Sequence, residues 1–359
     1  MGKGRVVLAM SGGVDSSVSA CLLADEGYDV VGLFMRTGAH DDAPATSNKI
    51  RGCCSAIDAA DARRVADRLG IPFYSLNFSE EFGRIKDYFA DEYLRGRTPN
   101  PCVVCNTWLK FGKLWEYAES VDAEFIATGH YAQVLPDAAG RPGLFRGADL
   151  TKDQSYFLFG IRPDLLSRIL MPVGHLQKER VRQLATEYQL PLAQKPDSQE
   201  ICFVPSGNYQ DFLQKHRPNR QESAGDVVDP AGNKLGQHAG LSHYTIGQRK
   251  GLGLAFGEPR YVVELKTETN QVVIGPRELL AQDRLEAERV NWLIEPEPSE
   301  SIRADVKIRY LHQPAAANIR PRDQGEIEIA FDTPQQAVTP GQAVVFYRNA
   351  QVLGGAWIK

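Results

Sequence analysis

The sequence predicts an α/β protein with an N-terminal parallel-sheet domain, a small β-rich central domain and a C-terminal β-barrel. Three observations carry that expectation. Short apolar, β-branched runs alternate with helical patterns over the first ~200 residues, which implies a parallel sheet covered on both faces. Beyond that point come short β-type runs separated by closely spaced Gly and Pro. A Gly-Gly loop joins the first strand pattern to the first helix pattern.

Residues 5–10, Arg-Val-Val-Leu-Ala-Met, read as a buried strand. Residues 14–26 read as a helix with Val18, Leu22 and Leu23 on one face, ended by Gly27. A second strand covers 30–35. A helix covers 56–69 and is closed by Gly70. Further strands cover 72–76 and 125–128. The later β-type runs are 261–265, 271–274, 302–308, 326–331 and 343–347. These patterns place domains at 1–205, 206–285 and 286–359. The Pro- and Glu-rich stretch 294–300 reads as a linker or exposed loop.

Of 359 residues, 43% are apolar, enough for buried cores. The formal charge of -4 excludes a global attraction to nucleic acid, so any RNA contact must come from local basic patches. One candidate set is Arg84, Lys86, Arg95, Arg97, Lys110 and Lys113. Another is Arg303, Lys307, Arg309, Arg320 and Arg322. Solvated surface charge is the bland reading of any one of them. No signal-peptide pattern is present, and no run reaches the ~18 apolar residues of a membrane span. A cytoplasmic protein without membrane attachment is expected. Its six cysteines are then expected to be reduced, catalytic or metal-binding rather than paired in structural disulfides.

The loop Ser11-Gly-Gly-Val-Asp-Ser16 between strand and helix suits an anion. Its glycines let backbone N–H groups approach phosphates, and the helix behind adds its partial positive end. Ser11 and Ser16 supply hydroxyls, and Asp15 could hold Mg²⁺ between phosphates. The Walker Gly-Lys-Ser/Thr ending is absent. The hexapeptide resembles the loop of the PP-loop ATP pyrophosphatases. That resemblance implies ATP bound by Ala9, Met10, Ser11, Gly12, Gly13, Val14, Asp15 and Ser16. It also implies cleavage between the α and β phosphates, with AMP passing to a substrate oxygen.

Cys21 reads as a small buried apolar residue. Cys53 and Cys54 are adjacent and read as loop residues. Cys102-Val-Val-Cys105 alone could be a zinc half-site, but no partner pair of matching spacing exists for the four ligands required. The segment Thr98-Pro-Asn-Pro-Cys-Val-Val-Cys-Asn-Thr-Trp-Leu-Lys-Phe-Gly-Lys113 and Ile201-Cys-Phe203 are similar to the bacterial-type tRNA-specific 2-thiouridylases. Further matches are Thr128-Gly-His-Tyr131, Lys152-Asp-Gln-Ser-Tyr-Phe157, Thr245-Ile-Gly-Gln-Arg-Lys-Gly-Leu-Gly253 and Pro340-Gly-Gln342. They run in order along nearly the whole chain.

The resemblance implies an adenine nucleotide hydrolase-like (PP-loop) fold for the N-terminal domain. It also implies ATP-dependent 2-thiolation of the wobble uridine, position 34, of tRNA. Cys202 would carry a persulfide and Cys105 would release its sulfur by forming a disulfide with Cys202. The persulfide would come from a cysteine desulfurase or a sulfur relay protein. Met35 and Gly129 would join the ATP site. The rigid 98–101 turn, with Asn100, Pro101 and Cys102, would meet the target base. His130, Lys152, Asp153, Gln154, Arg309, Tyr310 and Gln342 would contact tRNA. Many relatives carry Asp where Cys102 stands, which leaves an alternative open: Cys102, Cys105 and Cys202 could ligate an Fe–S cluster, as in some related tRNA thiolases. A PP-loop ligase acting on another substrate is the other alternative.

Overall fold

The computed structural model describes residues 2–38, 55–196, 201–204, 208–219, 222–295 and 301–359. Cys53, Cys54, residues 197–200 of the cysteine motif and residues 296–300 of the expected linker lie outside the described residues. The chain forms two compact units. One holds residues 1–85, 102–207 and 350–353; the other holds 86–101, 208–349 and 354–359.

The first unit is built on strands β1 (Arg5–Ala9), β2 (Asp29–Arg36), β3 (Phe73–Asn77), β4 (Phe125–Ala127) and a short β7 (Ile169–Leu170), in the order β3-β2-β1-β4-β7. Every neighbouring pair is parallel. Between β4 and β7 lies an antiparallel hairpin, β5 (Ala132–Pro136) and β6 (Pro142–Arg146). Helix α1 (Val14–Asp25) follows β1, and α2 (Ala56–Leu69) precedes β3. Helix α3 (Ser79–Leu94) follows β3 and α4 (Pro101–Val104) comes next; a π-helical stretch (Cys105–Lys113) leads into α5 (Leu114–Ser120). Helix α6 (Lys178–Glu187) closes the unit. Val6 and Leu8 of β1, Val18 and Leu23 of α1, Val65 of α2 and Val181 of α6 share one core.

Two boundaries show how local chemistry sets this architecture. Ser55 and Asp58 form a reciprocal capping box at the start of α2, and Gly70 closes it in the left-handed region at φ 66°. Helix α1 is buried beyond the expected stripe: Ser16, Ser17, Ser19 and Cys21 are buried along with Val18 and Leu23. Serine fits there because Ser17 and Ser19 return their hydroxyls to the carbonyls of Gly13 and Asp15 at 2.9 and 2.8 Å.

In the second unit, α7 (Tyr209–His216) packs aromatic rings on the later half of α3. Tyr93 stacks on Tyr209 at 4.3 Å, and Phe89 meets Phe212 edge-on at 5.5 Å. The central domain is a four-stranded sheet in the order β10-β11-β8-β9, from β8 (Gly225–Val228), β9 (Lys234–His238), β10 (Tyr261–Lys266) and β11 (Gln271–Gly275). Val227, Val262, Val272 and Ile274 form its core.

The C-terminal strands are β12 (Ala281–Trp292), β13 (Ile302–Lys307), β14 (Ala315–Pro321), β15 (Ile327–Gln336), β16 (Ala343–Arg348) and β17 (Gln351–Ile358). They run in the order β12-β15-β14-β13-β16-β17, and β12 pairs back to β17. The closure comes from one long strand. Residues 281–287 of β12 pair with β15, and residues 287–292 pair with β17. Within the second stretch the register shifts between Glu288 and Asn291, and there Arg289 takes a positive φ of 53°, a bulge of the kind that bends a strand at a barrel corner. In β13 the burial alternates, with Ile302, Ala304 and Val306 inside and Arg303 and Asp305 outside. The expected parallel-sheet, β-rich and β-barrel sequence of domains is therefore the one found. No helix among the described residues is long and apolar enough to cross a membrane.

Candidate active site

The strand order of the first unit reverses between β1 and β4, since the chain moves outward through β2 and β3 on one side and β7 on the other. In open α/β sheets the crevice at such a switch point, beyond the carboxyl ends of the strands, is where ligands bind. Loop 11–16 leaves β1 there and Thr128, Gly129 and His130 leave β4. At the neighbouring end of β2, half-buried Met35 stands opposite Leu76 of β3. The buried hydroxyl of Thr37, two residues on, has no hydrogen-bond partner among the described residues.

The loop braces itself. Ser16 Oγ accepts from the Ser11 amide at 3.2 Å and donates to the Gly13 carbonyl at 3.2 Å. Gly13 is the N-cap of α1 and caps it with no side chain, so the first-turn amides keep the polarity that attracts an anion. Gly12 has a φ of 70°, and a Cβ there would stand 2.2 Å from the Asp58 carbonyl oxygen in the first turn of α2. Only glycine meets both demands. Gly129 is fixed by proximity alone: a Cβ would lie 2.7 Å from the Ser16 nitrogen.

Three residues without a sequence-assigned role complete this corner. Lys178, in the first turn of α6, places Nζ 2.8 and 2.9 Å from the two Asp15 oxygens. The Tyr131 hydroxyl donates to Asp15 at 2.7 Å. Lys195 Nζ donates to the Gly12 carbonyl at 2.8 Å and pairs with Asp58 at 2.6 Å and Asp61 at 2.7 Å. Burial pulls the Lys195 ammonium down, but the bonds to both carboxylates outweigh it and its pKa is raised. The carboxylate of Asp15, expected from the sequence to hold Mg²⁺, is in this structure paired through both oxygens with Lys178. Partners 163 and 183 residues away leave no local signal in the sequence.

His130 is buried between Thr128 Oγ1 at 2.8 Å and Lys110 Nζ at 3.5 Å. Burial, then the Lys110 charge, holds its imidazole well below the ordinary histidine range, so it is neutral at pH 7. Lys110 lies in the π-helical stretch that opens with Cys105. Asn106 anchors that stretch by donating to the Phe157 carbonyl at 3.2 Å. π-Helical geometry is rare and concentrates at functional sites. Cys105 and Cys202 are half-buried and Cys102 is exposed. Phe203, beside Cys202, packs edge-on against Phe82 at 5.6 Å. Burial pushes the Cys21 thiol up to about 11, as suits a packed, inert cysteine. Among the described residues no three His, Cys, Asp or Glu side chains are grouped to hold a metal ion, so Cys102, Cys105 and Cys202 do not form a cluster-ligating set in this structure.

Several expected RNA-facing side chains are turned to their own backbone. The Asp153 carboxylate accepts from the Gly147 and Ser155 amides at 3.2 and 3.0 Å. Gln154 Oε1 accepts from the Tyr131 amide at 2.9 Å. Lys152 is half-buried. In the second unit, exposed Arg309 donates to the Gln336 carbonyl at 3.0 Å, and Lys307 lies over the Tyr310 ring at 5.6 Å. The Gln342 amide donates to the Thr98 and Pro99 carbonyls, at 3.1 Å each. Asn100 and Pro101 are buried, and Pro101 is the first helical residue of α4.

A five-stranded parallel sheet with a glycine-rich anion loop at its switch point defines a nucleotide-binding α/β protein. Residues 4–206 match the family model described as the tRNA methyl transferase HUP domain. Residues 210–276 match the tRNA methyl transferase PRC-barrel domain, and residues 282–358 the aminomethyltransferase beta-barrel domain. The tRNA-specific 2-thiouridylase MnmA of Carboxydothermus hydrogenoformans is 49% identical, over 100% of this chain and 98% of that protein. Those of Rhodopirellula baltica and Geotalea uraniireducens are 47% and 49% identical over 99% of this chain, covering 96% and 95% of their own lengths. The chain belongs to the tRNA-specific 2-thiouridylase family.

Proposed function

We propose that this chain is a tRNA-uridine 2-sulfurtransferase that replaces the C2 oxygen of the wobble uridine, position 34, by sulfur at the expense of ATP. The observation that carries the reading is the combination, in one compact unit, of a glycine-rich anion loop at the switch point with half-buried Cys105 and Cys202. The domain descriptions speak of methyl transfer, whereas the named relatives are thiouridylases.

Uridine O2 is a poor leaving group until AMP is attached. The loop amides and the α1 N-terminus hold the ATP phosphates, and pyrophosphate leaves there as O2 attacks the α phosphorus. Met35 and the region around Gly129 receive the adenosine end, where the Thr37 hydroxyl is available to it. The terminal sulfur of a Cys202 persulfide then attacks C2, and AMP departs with the original oxygen. A Cys105 thiolate attacks Cys202 Sγ, leaving sulfur on C2 and a Cys105–Cys202 disulfide. A thiol reductant resets the disulfide, and a persulfide donor, a cysteine desulfurase or relay protein, reloads Cys202. Arg309 and Tyr310 supply cationic and stacking contacts to tRNA.

Cys202→Ser tests the division of labour. Thiolation is expected to vanish while tRNA-dependent pyrophosphate release from ATP persists. Undiminished thiolation by that variant contradicts the persulfide role.

A further inference from the structure

The turn Thr98-Pro-Asn-Pro101 carries its backbone in an unusual way. It lies next in sequence to the cysteine helix, yet the backbone groups of Thr98 and Pro99 are met by a segment more than two hundred residues on. The Thr98 amide donates to the Pro340 carbonyl at 2.8 Å. The Thr98 and Pro99 carbonyls both accept from Gln342 Nε2, at 3.1 Å each. The Asn100 amide donates to the Tyr88 hydroxyl at 3.3 Å, and the Tyr88 ring meets Trp357 edge-on at 6.0 Å. Pro99 is buried and has no N–H to satisfy.

Gly341 makes the approach close enough. Its φ is 87°, and a Cβ there would stand 2.9 Å from the Thr98 carbonyl oxygen and 3.0 Å from the Arg97 Cβ. The segment is itself fastened to the last barrel strand, since the Gly341 amide donates to the Ile358 carbonyl and the Ile358 amide to the Gln342 carbonyl, both at 2.9 Å. Rigid barrel, glycine contact and two-carbonyl amide together hold one short turn at fixed height.

We infer that Gln342 is a positioning residue: it sets the backbone of the 98–101 turn, and the C-terminal barrel serves as the template for that turn. This rests on the proposal that the turn meets the target base. Gln342 then acts through Thr98 and Pro99, with both carbonyls as its partners, and its effect on RNA is indirect. The consequence is a separation of affinity from rate. An amide that touched RNA would contribute to tRNA binding. An amide that sets the turn contributes to the alignment of the base with the reacting groups, and small misplacements of that kind cost roughly ten- to a hundredfold in rate.

Gln342→Met keeps the side-chain length and removes both donors. In the full-length protein without RNA, amide hydrogen exchange of the peptide containing Thr98 and Asn100 is expected to rise, while the melting temperature falls by no more than a few degrees. With tRNA and ATP, the single-turnover thiolation rate at saturating tRNA is expected to fall by about tenfold or more, while the tRNA Kd stays within about twofold. Unchanged exchange in the 98–101 turn overturns the inference whatever the substrate proves to be. Weakened tRNA binding with an unchanged saturating rate also overturns it and makes Gln342 a direct RNA contact. A wild-type protein that thiolates no tRNA removes the proposed function, and the exchange measurement still decides the clamp.

Discussion

A methyl group on Gly129 would stand 2.7 Å from the Ser16 nitrogen and 2.8 Å from the Asp15 carbonyl carbon, both backbone atoms of the anion loop. Such atoms cannot rotate away, so Gly129→Ala must displace the loop. Nucleotide affinity is expected to fall about tenfold or more, or ~1.4 kcal/mol, by calorimetry. Gly83→Ala is the control: Gly83 lies in α3 with nothing near its added Cβ, and the change should stabilise by about 0.5–1 kcal/mol and leave nucleotide binding alone. Equal affinities in the two variants would contradict the close-packing account. At this scale the sequence was legible where chemistry is local. The whole hexapeptide 11–16, read in its strand–loop–helix setting, is a local signal for the turn found after β1, where Gly12 takes a positive φ and Gly13 caps α1. Lys178 and Lys195 announce nothing, because their partners Asp15, Asp58 and Gly12 become neighbours only when the sheet has formed.

Helices α1 and α6, which share the core, are also joined by the Lys178–Asp15 ion pair, whose two ends are unequally buried. The Lys178 side chain is 7% exposed and that of Asp15 is 30% exposed. Lys178→Met leaves the carboxylate beside the phosphate loop without its cation. The expected costs are roughly 1–3 kcal/mol in thermal unfolding and a loss of nucleotide affinity through repulsion from the phosphates. Adding Asp15→Asn should recover part of both, a coupling that a double-mutant cycle reads directly. Additive losses would mean that the pair does not shape the loop. Among elements, helix 56–69 was readable to its last residue because its pattern stops at Gly70, a local signal; the structure adds the Ser55–Asp58 capping box at its start. Helix α3 and the π-helical stretch were not. The latter is tied down by the distant bonds from Asn106 to Phe157 and from Lys110 to His130, which no local pattern encodes.

On the scale of the molecule, the low net charge and the ion pairs belong together. Arg84 pairs with Glu80, Arg97 with Glu92, Lys113 with Glu116, Arg303 with Asp332 and Arg322 with Glu328. Much of what looked like a basic RNA-binding set is therefore charge already paired with a neighbouring carboxylate. The order of domains was visible in the change of pattern near residue 200. The docking of the 98–101 turn onto Gln342 was hidden, because it joins segments 243 and 244 residues apart. The central claim is a sulfur-for-oxygen exchange on tRNA, and its most direct test is mass spectrometry of nucleosides from tRNA incubated with the protein, ATP, a persulfide source and a thiol reductant. The account predicts 2-thiouridine at position 34, formed together with AMP and pyrophosphate. Uridine unchanged at C2 in every tRNA would contradict it.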